Sequence, residues 1–370
     1  MKAVRSLPVQ DVTCIPKNDD QERQIHMKIT MAHGSGGNAS KELMGNIFGK
    51  YFKNDILDKL EDAAVLDVSG RIAMSTDSFV VTPLEFNGGN IGKLCVCGTV
   101  NDVLMMGAEP KYLTCGFIME EGLDIDVLEK AVASMAKQAE EAGVKIVAGD
   151  TKVVEGSGGL MINTTGIGVI PEGRDVSAAN CAPGDKIIVS GTLGDHHACI
   201  LSARMEIEND IKSDCGCLKD ITDALFGAGI DVHTMRDVTR GGMGTILNEI
   251  ADSSGTMIEL EEAAIPVSEE VKGFSGMLGL DPLYMANEGK MVVIVPADQA
   301  EKALELMRGT EHGAGAVMIG EVKALAADGD DTSCGDAAGT ESKPVVHIKT
   351  PLGATRVLDV LYGEGLPRIC

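Results

Sequence analysis

Short apolar segments alternate with glycine-rich turns from Ile29 onward, and this alternation limits the folds that the chain can adopt. Strand-like segments such as 113–119 and 160–169 are interspersed with helix-like segments such as 91–106 and 126–142. Alternating strands and helices are typical of α/β and α+β proteins, in which helices cover a sheet. The sequence therefore predicts an α/β or α+β fold.

Three segments allow more detailed predictions. Apolar residues are nearly continuous over 91–106, which predicts a buried helix rather than a surface one. The segment 126–142 predicts an amphipathic helix that ends at Gly143, because glycine adopts the left-handed cap conformation most easily. Residues 145–148 predict a strand that Gly149 and Asp150 interrupt.

The length of 370 residues predicts two domains. A small, turn-rich run at 178–185 marks the best boundary between them. An acidic, turn-rich segment at 326–343 predicts an insertion within the second domain. The predicted organisation is an extension at 1–26, an N-terminal domain at 27–178, a C-terminal domain at 179–349 and a tail at 350–370.

The charge balance excludes one class of partner. The chain has 56 Asp and Glu against 32 Lys and Arg, a formal charge of −24. Because phosphate backbones are bound by clustered Lys and Arg, we expect no nucleic-acid partner. No stretch approaches 18 consecutive apolar residues and the first 26 residues lack the features of a secretory signal, so neither a membrane span nor export is expected. The ten scattered cysteines then predict a cytoplasmic protein in which most thiols are small core residues.

Four aspartates stand among small or apolar neighbours: Asp62 in EDAAVL, Asp77 in STDSFV, Asp102 in TVNDVLMMGA and Asp237 in RDVTRGG. A buried, unpaired carboxylate is costly, and Mg²⁺ that also bridges nucleotide phosphates would offset this cost. Taken singly, each aspartate is also explained as a helix cap or a turn residue. The four together favour a metal–nucleotide site.

Two glycine-rich segments, HGSGGN at 33–38 and TRGGMG at 239–244, are each predicted to open a helix. Exposed amides and the helix dipole at such a point suit an anion, although glycine clusters also form ordinary turns. Neither segment has the Walker or the dinucleotide-binding spacing. Lys152 in GDTKVV and Glu288 in MANEGK are a possible base and charge partner, or alternatively two surface residues.

Two further features concern histidine and cysteine. His196 and His197 are adjacent on a predicted helix, so they point in different directions and are not expected to share a metal. The chain ends in PRIC, which places the Cys370 thiol at its terminus. From Thr355, fifteen residues at ~3.3 Å each could reach about 50 Å, enough for an arm that carries a substrate. The alternative is a frayed end with a chance cysteine.

These motifs together resemble the HypE family of hydrogenase maturation proteins, within the superfamily of aminoimidazole ribonucleotide synthetase and selenophosphate synthetase. The resemblance is carried by AHGSGGNASKELM, DAAVLD, NDVLMMGAEP, AGDTKVV, GDHHACIL, DVTRGGMGTILNEIA, ANEGKMV and the terminal PRIC. Selenophosphate synthetases have a Cys or selenocysteine and a Lys in the N-terminal glycine loop, where this chain has Ser35 and Asn38.

The resemblance implies an α+β fold of two α/β-type domains with a flexible C-terminal tail. It also implies a homodimer whose N-terminal domains form a β-barrel, with ATP bound in a groove near the interface. It implies that Asp62, Asp77, Asp102 and Asp237 handle Mg²⁺ and phosphates. The nucleotide-binding residues that it implies are Gly34, Ser35, Gly36, Gly37, Asp77, Asn101, Asp150, Thr151 and Arg240.

The resemblance also implies an ATP-dependent carbamoyl dehydratase, with Cys370, Lys152 and Glu288 as catalytic residues. The carbamoyltransferase HypF would load a carbamoyl group on the Cys370 sulfur, ATP would phosphorylate the carbamoyl oxygen, and loss of the nitrogen protons would leave a thiocyanate. The cyano group would then pass to iron in a HypC–HypD complex, for nickel–iron hydrogenase. Two alternatives stay open: an ATP-dependent synthetase acting on a free substrate, and a non-catalytic scaffold that uses its acidic surface.

Overall fold

The structure, a computed structural model, describes residues 28–34, 38–59, 63–325 and 343–360. Several of the sequence predictions concern residues outside these ranges. They are the extension at 1–26, all but the last residue of the insertion at 326–343, and the site residues Ser35, Gly36, Gly37, Asp62 and Cys370.

The N-terminal half is built on a sheet of four strands in the order β1-β6-β4-β5, in which β4 and β5 are parallel and the other pairs antiparallel. Its strands are β1 Arg71–Phe79, β2 Glu85–Phe86, β3 Gly89–Asn90, β4 Glu109–Glu120, β5 Lys145–Val154 and β6 Leu160–Ile170, with β2 and β3 forming a separate pair. Its helices are α1 Asn38–Leu43, a π-helical stretch Met44–Phe48, α2 Gly49–Tyr51, α3 Ile91–Met105 and α4 Ile125–Ala142, with 3₁₀ turns at Met31–Gly34 and Leu57–Lys59.

The C-terminal half is built on a seven-stranded sheet in the order β13-β12-β9-β11-β7-β10-β8, in which β12 and β9 are parallel and the other pairs antiparallel. Its strands are β7 Lys186–Val189, β8 Thr234–Asp237, β9 Met257–Glu261, β10 Met291–Val295, β11 Val317–Lys323, β12 Val345–Lys349 and β13 Thr355–Val357. Its helices are α5 Asp195–Arg204, α6 Lys219–Gly227, α7 Gly242–Ser254, α8 Glu269–Leu278 and α9 Ala300–Arg308, with 3₁₀ turns at Ala178–Asn180, Glu262–Ala264 and Pro282–Tyr284.

Helix α3 is buried on nearly every side, which confirms the prediction for 91–106. Its first turn is capped by Asn90, whose Oδ1 accepts a hydrogen bond from the Lys93 amide at 2.9 Å. The helix packs on β1 and β6, on α4, and on β8 and α6 of the other half. A Cβ at Gly92 would lie 2.0 Å from the Ala131 carbonyl oxygen, so this close approach of α3 to α4 requires glycine.

The predicted amphipathic helix, α4, ends as expected at Gly143 in the left-handed conformation.

Strand β5 runs through Gly149 and Asp150 to Val154, so the prediction of a break there is wrong. Gly149 pairs with Cys115 and Asp150 with Gly116, and the ladder with β4 continues past them. A Cβ at Gly149 would lie 2.5 Å from the Cys115 carbonyl oxygen, so the glycine allows close pairing instead of ending the strand. Asp150 is tolerated because it is exposed to solvent.

The chain does not leave the fold at Thr355. Residues Thr355–Val357 pair with Val345–Lys349 at the edge of the second sheet, and Leu358 is fully buried. The predicted arm of fifteen residues starting at Thr355 is therefore too long, because its first residues form β13 in the sheet. The predicted domain bounds stay predictions.

Every cysteine within the described residues is a buried free thiol, in agreement with the expected role in the core. Cys97 of α3 lies near Cys215 from the loop before α6, which adds to the rise that burial causes in the pKa of the Cys97 thiol. Burial raises the pKa of the Cys95, Cys97 and Cys115 thiols.

In the part of the chain that the structure describes, no helix combines the length and apolar character needed to cross a membrane.

His197 of α5 is a polar residue in an unfavourable position in this core. The side chain is 1% exposed, and neither ring nitrogen has a hydrogen-bond partner among the described residues. Burial, and then the nearby His196 and Arg204, lower the pKa of His197 to about 4. The imidazole is therefore neutral in the folded protein at pH 7, and no residue in the described part of the chain gives it a hydrogen bond that would offset its desolvation.

We expect His197→Leu to be more stable than the wild type, with a difference that grows on acidification. Between pH 6.5 and 4 the unfolded chain binds a proton at His197 that the folded chain does not, so wild-type stability falls as the pH falls. The difference in free energy of unfolding should widen by about 2 kcal/mol from pH 7.5 to pH 5 in urea denaturation. Ile200→Leu, which changes packing in the same helix without removing a titratable group, should parallel the wild type. A His197→Leu difference that is the same at both pH values would contradict this account.

Candidate functional site

Three of the four predicted aspartates meet where the two halves of the fold touch. Asp77 lies in β1, Asp102 on α3 and Asp237 at the end of β8. Together with Arg240 and Glu288 they line a cavity of about 270 Å³. Because β8 pairs with β10, Asp237 lies opposite Met291, shortly after Glu288 in the chain. Asp102 and Asp237 also border a second depression of about 340 Å³, so the acidic cluster can be reached from two sides.

Hydroxyl groups that the sequence analysis did not identify hold two of these carboxylates. Ser75 Oγ donates to Asp102 Oδ2 at 2.6 Å, and Thr99 Oγ1 donates to Asp77 Oδ2 at 3.1 Å. Ser75 is two residues from Asp77 on a strand, and Thr99 is three residues from Asp102 on a helix, so each hydroxyl shares a face with an aspartate. That spacing was the only signal available in the sequence.

The aspartates carry an uncompensated negative charge. Burial raises the pKa of Asp102 to about 6; the hydrogen bond from Ser75 opposes this rise, and the nearby Asp77 adds to it. Burial likewise raises the pKa of Asp237 to about 7, with a further contribution from repulsion by Asp102. Arg236 lowers both pKa values only partly, because its guanidinium is also paired with Glu249 at 2.7 Å. The cluster is therefore suited to receive a cation.

The donor set fits magnesium that is shared with a phosphate ligand. Among the described residues, no three His, Cys, Asp or Glu side chains lie close enough together to hold a metal ion alone. Mg²⁺ is commonly held by one or two carboxylates together with phosphate oxygens and water, and it prefers oxygen ligands. Asp77, Asp102 and Asp237 supply only oxygens, so they fit this shared mode and do not form a closed protein cage. Asp62 lies outside the described residues.

Glu288 is buried in the wall of the cavity, and the loop before α6 fixes its backbone. The Asp214 carboxylate accepts hydrogen bonds from the Glu288 amide at 3.2 Å and the Gly289 amide at 3.0 Å. Lys290 Nζ lies 3.6 Å from the same carboxylate. A Cβ at Gly289 would lie 1.9 Å from the Asp214 carbonyl oxygen, so this turn requires glycine. Asp214 was missed because it lies far from Glu288 in sequence and stands in no recognisable motif.

Lys152 does not lie beside Glu288. It is on the exposed face of β5, opposite Ile118 of β4, and its ammonium is 2.9 Å from Asp150. Glu288 lies behind the other face of the sheet, where a Cβ at Gly98 of α3 would be 3.9 Å from its Oε2. The structure therefore separates the two predicted catalytic side chains within one chain.

The predicted nucleotide-binding residues fall in two places. Gly34 packs on β5, where a Cβ would lie 2.9 Å from Val153 Cβ, and Asp150 and Thr151 of the same strand border a small apolar cavity of about 70 Å³. Arg240 borders the acidic cavity. The Asn101 side chain is 2% exposed and binds the loop before α6, through the Gly216 carbonyl at 3.0 Å and the Leu218 amide at 2.9 Å. Its role toward a nucleotide stays a prediction.

The second glycine-rich segment forms the tight turn that opens α7. Gly241 and Gly242 have φ values of +83° and +63°, which glycine adopts most easily. A Cβ at Gly242 would lie 2.5 Å from the Leu283 carbonyl oxygen, so α7 begins in close contact with the 3₁₀ turn before Glu288. This turn places Thr239 and Arg240 at the edge of the acidic cavity.

Comparisons with known proteins agree with this architecture. Residues 60–170 match the N-terminal domain of the AIR synthase related proteins, and residues 182–328 match the C-terminal domain. The carbamoyl dehydratase HypE of Rhodobacter capsulatus is 44% identical over 351 residues, covering 93% of this chain and 98% of the relative. A crystal structure of hydrogenase maturation protein HypE in complex with ATP superposes with a TM-score of 0.85 at 48% identity, covering 92% of this chain and 99% of that one. A chain in a crystal structure of a HypE–HypF complex gives a TM-score of 0.72 at 46% identity, covering 86% and 99%.

We expect Asp102→Asn to stabilise the protein in the absence of magnesium and nucleotide, and to abolish binding of magnesium–ATP. The amide keeps an acceptor for Ser75 and removes a buried charge, so the free energy of unfolding in EDTA should rise by about 1–2 kcal/mol. Thermal unfolding and calorimetric titration with magnesium–ATP check the two effects. Asp252→Asn, an exposed position on α7, is the control and should change neither. If the Asp102→Asn protein still binds magnesium–ATP like the wild type, Asp102 is not part of the binding site.

Proposed function

The chain belongs to the AIR synthase related family and, within it, to the HypE carbamoyl dehydratases, and from this premise we propose how its residues carry out that reaction. The observation that carries the proposal is the match across nearly the whole length of this chain and of the relatives, which includes both domains in the same order. The protein is an ATP-dependent carbamoyl dehydratase that acts in hydrogenase maturation.

The substrate is a carbamoyl group on the sulfur of Cys370. The carbamoyl oxygen leaves poorly, so ATP first transfers its γ-phosphoryl group to that oxygen and converts it into a phosphate leaving group. Two protons then leave the nitrogen, the carbon–oxygen bond breaks, and a thiocyanate remains on Cys370. The water that is formally removed ends in inorganic phosphate. A covalent carrier keeps the small group bound throughout these steps.

The acidic cavity is the place where the phosphoryl group is handled. We propose that Asp77, Asp102 and Asp237, with Asp62, hold Mg²⁺ and orient the phosphates. When bound, Mg²⁺ neutralises charge on the transferring phosphoryl group. Arg240 and the amides at the start of α7 add positive potential at the same cavity edge. The other proposed nucleotide-binding residues are Asn101, the loop Gly34 to Gly37, Asp150 and Thr151. Gly34, Asp150 and Thr151 lie apart from the acidic cavity within one chain.

Glu288 and Lys152 are proposed for removal of the nitrogen protons. Glu288 suits this role because it lies in the cavity wall, where Asp214 fixes its backbone and thus its approach to a substrate. Lys152 lies on the opposite face of the N-terminal sheet from Glu288 of its own chain, so we propose that it acts across the dimer interface on the substrate of the partner subunit.

That dimer uses the exposed face of the sheet formed by β1, β6, β4 and β5. Apolar side chains on this face are unusually exposed: Ile72 at 52%, Met74 at 65%, Ile118 at 43% and Val154 at 38%. Pairing two such faces would bury these side chains and form the expected β-barrel. HypF supplies the carbamoyl group, a HypC–HypD complex accepts the cyano group, and the cyanide becomes a ligand in nickel–iron hydrogenase.

The reaction is tested by mass spectrometry of the carbamoylated protein after addition of magnesium–ATP. We expect loss of one water, confined to the peptide that contains Cys370, and no carbamoylation of that peptide in Cys370→Ala. Glu288→Gln should accept the carbamoyl group and bind ATP, but dehydrate at least about a hundredfold more slowly, because proton removal depends on the carboxylate. The proposal fails if Cys370→Ala is still carbamoylated and dehydrated. ATP turnover that requires a free small molecule and does not depend on Cys370 would indicate a synthetase instead.

The dimer is tested by Met74→Glu. A glutamate buried in an apolar interface is costly, so we expect this variant to sediment as a monomer at concentrations where the wild type is a dimer. Met277→Glu is a matched control, because Met277 has the same 65% exposure but lies on α8 of the other half. Sedimentation velocity distinguishes the species, and a Met74→Glu protein that remains a dimer would contradict this interface.

A further inference from the structure

We propose that Tyr284, Asn248 and Leu358 form an anchor that fixes residues 358–359 and so limits how far Cys370, eleven residues after Asp359 in the sequence, can reach. The inference rests on the proposed function, because it assigns positioning residues to the thiol carrier. The anchor is defined here as these three side chains together with the backbone of residues 358–359.

The contacts of the anchor converge on two consecutive residues. Leu358 is fully buried in the core of the C-terminal half, and its amide donates to the Val346 carbonyl at 2.8 Å. Asn248 Nδ2 donates to the Leu358 carbonyl at 2.9 Å. Tyr284 Oη donates to the Asp359 carbonyl at 2.6 Å. Three backbone groups and one apolar side chain are therefore held immediately before the last described residue, Val360.

Two of the anchoring side chains belong to segments that build the acidic cavity. Asn248 lies on α7, one turn after Gly244, and its Nδ2 also donates to the Gly244 carbonyl at 2.8 Å. The Tyr284 ring packs on the same glycine, where a Cβ would lie 2.6 Å from Tyr284 Cε1. Tyr284 is also four residues before Glu288. The anchor thus ties the end of the chain to the helix that follows Arg240 and to the turn that precedes Glu288.

This attachment determines how far the thiol can travel. Ten residues separate Val360 from Cys370, and at ~3.3 Å each they reach about 33 Å when extended. Release of the anchor and of β13 would roughly double the number of residues between Cys370 and its attachment, from ten after Val360 to 21 after Lys349 at the end of β12. Because the effective concentration of a tethered group falls roughly as the −3/2 power of tether length, doubling lowers it about threefold. A short, fixed tether therefore favours encounter of Cys370 with its own cavity.

Tyr284→Phe and Leu358→Ala test the anchor, with Tyr51→Phe as a matched control. The Tyr284 variant keeps the ring on Gly244 and loses only the hydroxyl. Tyr51 also donates its hydroxyl to an acceptor, Glu129 Oε1 at 3.0 Å, but on the N-terminal half. Arg356 lies in β13 and is a trypsin site, so cleavage after Arg356 reports opening of the anchor. Loss of one hydrogen bond should speed this cleavage about fivefold in Tyr284→Phe, and Leu358→Ala should speed it more.

The second measurement is the single-turnover rate of dehydration of the carbamoylated protein. We expect it to fall in Leu358→Ala toward the threefold limit set by full release, and by less in Tyr284→Phe, with ATP affinity unchanged and Tyr51→Phe equal to the wild type. Cleavage at the wild-type rate in both variants would overturn the anchor. Faster cleavage with an unchanged dehydration rate would overturn its positioning role. If the carbamoylated wild type loses no water with ATP, the proposed function fails, whereas the cleavage rates still decide whether the anchor exists.

Discussion

The burial of α3 is the constraint on which the rest of the structure depends. A helix that is apolar on nearly all sides must be covered on all of them, and here the N-terminal sheet, α4 and the C-terminal half each cover one side. The two halves therefore cannot separate without exposing this helix to water. Asp102 lies on the same helix, so the packing that joins the halves also brings its carboxylate to Asp77 and Asp237.

The buried carboxylates of the acidic cavity lower the stability of the ligand-free protein, although the proposed activity depends on them. Asp102 and Asp237 have raised pKa values because they are buried without a sufficient positive charge. Such an arrangement weakens the ligand-free protein, and a cation that bound only the folded cluster would stabilise it. Destabilised, strained sites of this kind are common where a protein is active. Ser75 and Thr99 limit the cost because each donates a hydrogen bond to a carboxylate.

Patterns within one segment could be predicted from the sequence, and contacts between segments could not. The continuous apolar residues of α3 are a local pattern, and the buried helix predicted from them is confirmed. The apolar neighbours of Asp102 and Asp237 are local too, and the structure brings both aspartates to one cavity. Asp214 acts on Glu288 across 74 positions of sequence, so no local pattern reveals it. Lys152 and Glu288 each lie near a strand end, but their separation depends on which face of β5 carries Lys152, and that is set by its pairing with β4. The register of β13 likewise depends on tertiary packing of Leu358.

The buried cysteines have a chemical consequence for an enzyme that carries an electrophile. A thiocyanate is attacked by thiolates, and a carbamoyl donor can modify any reactive sulfur. Within the described residues each thiol is enclosed in the core, and burial holds the pKa of Cys95, Cys97 and Cys115 above the usual range, which suppresses the nucleophilic form. Burial in the core thus protects these thiols from reaction. They do not compete with the Cys370 sulfur for the carbon of the carbamoyl or cyano group.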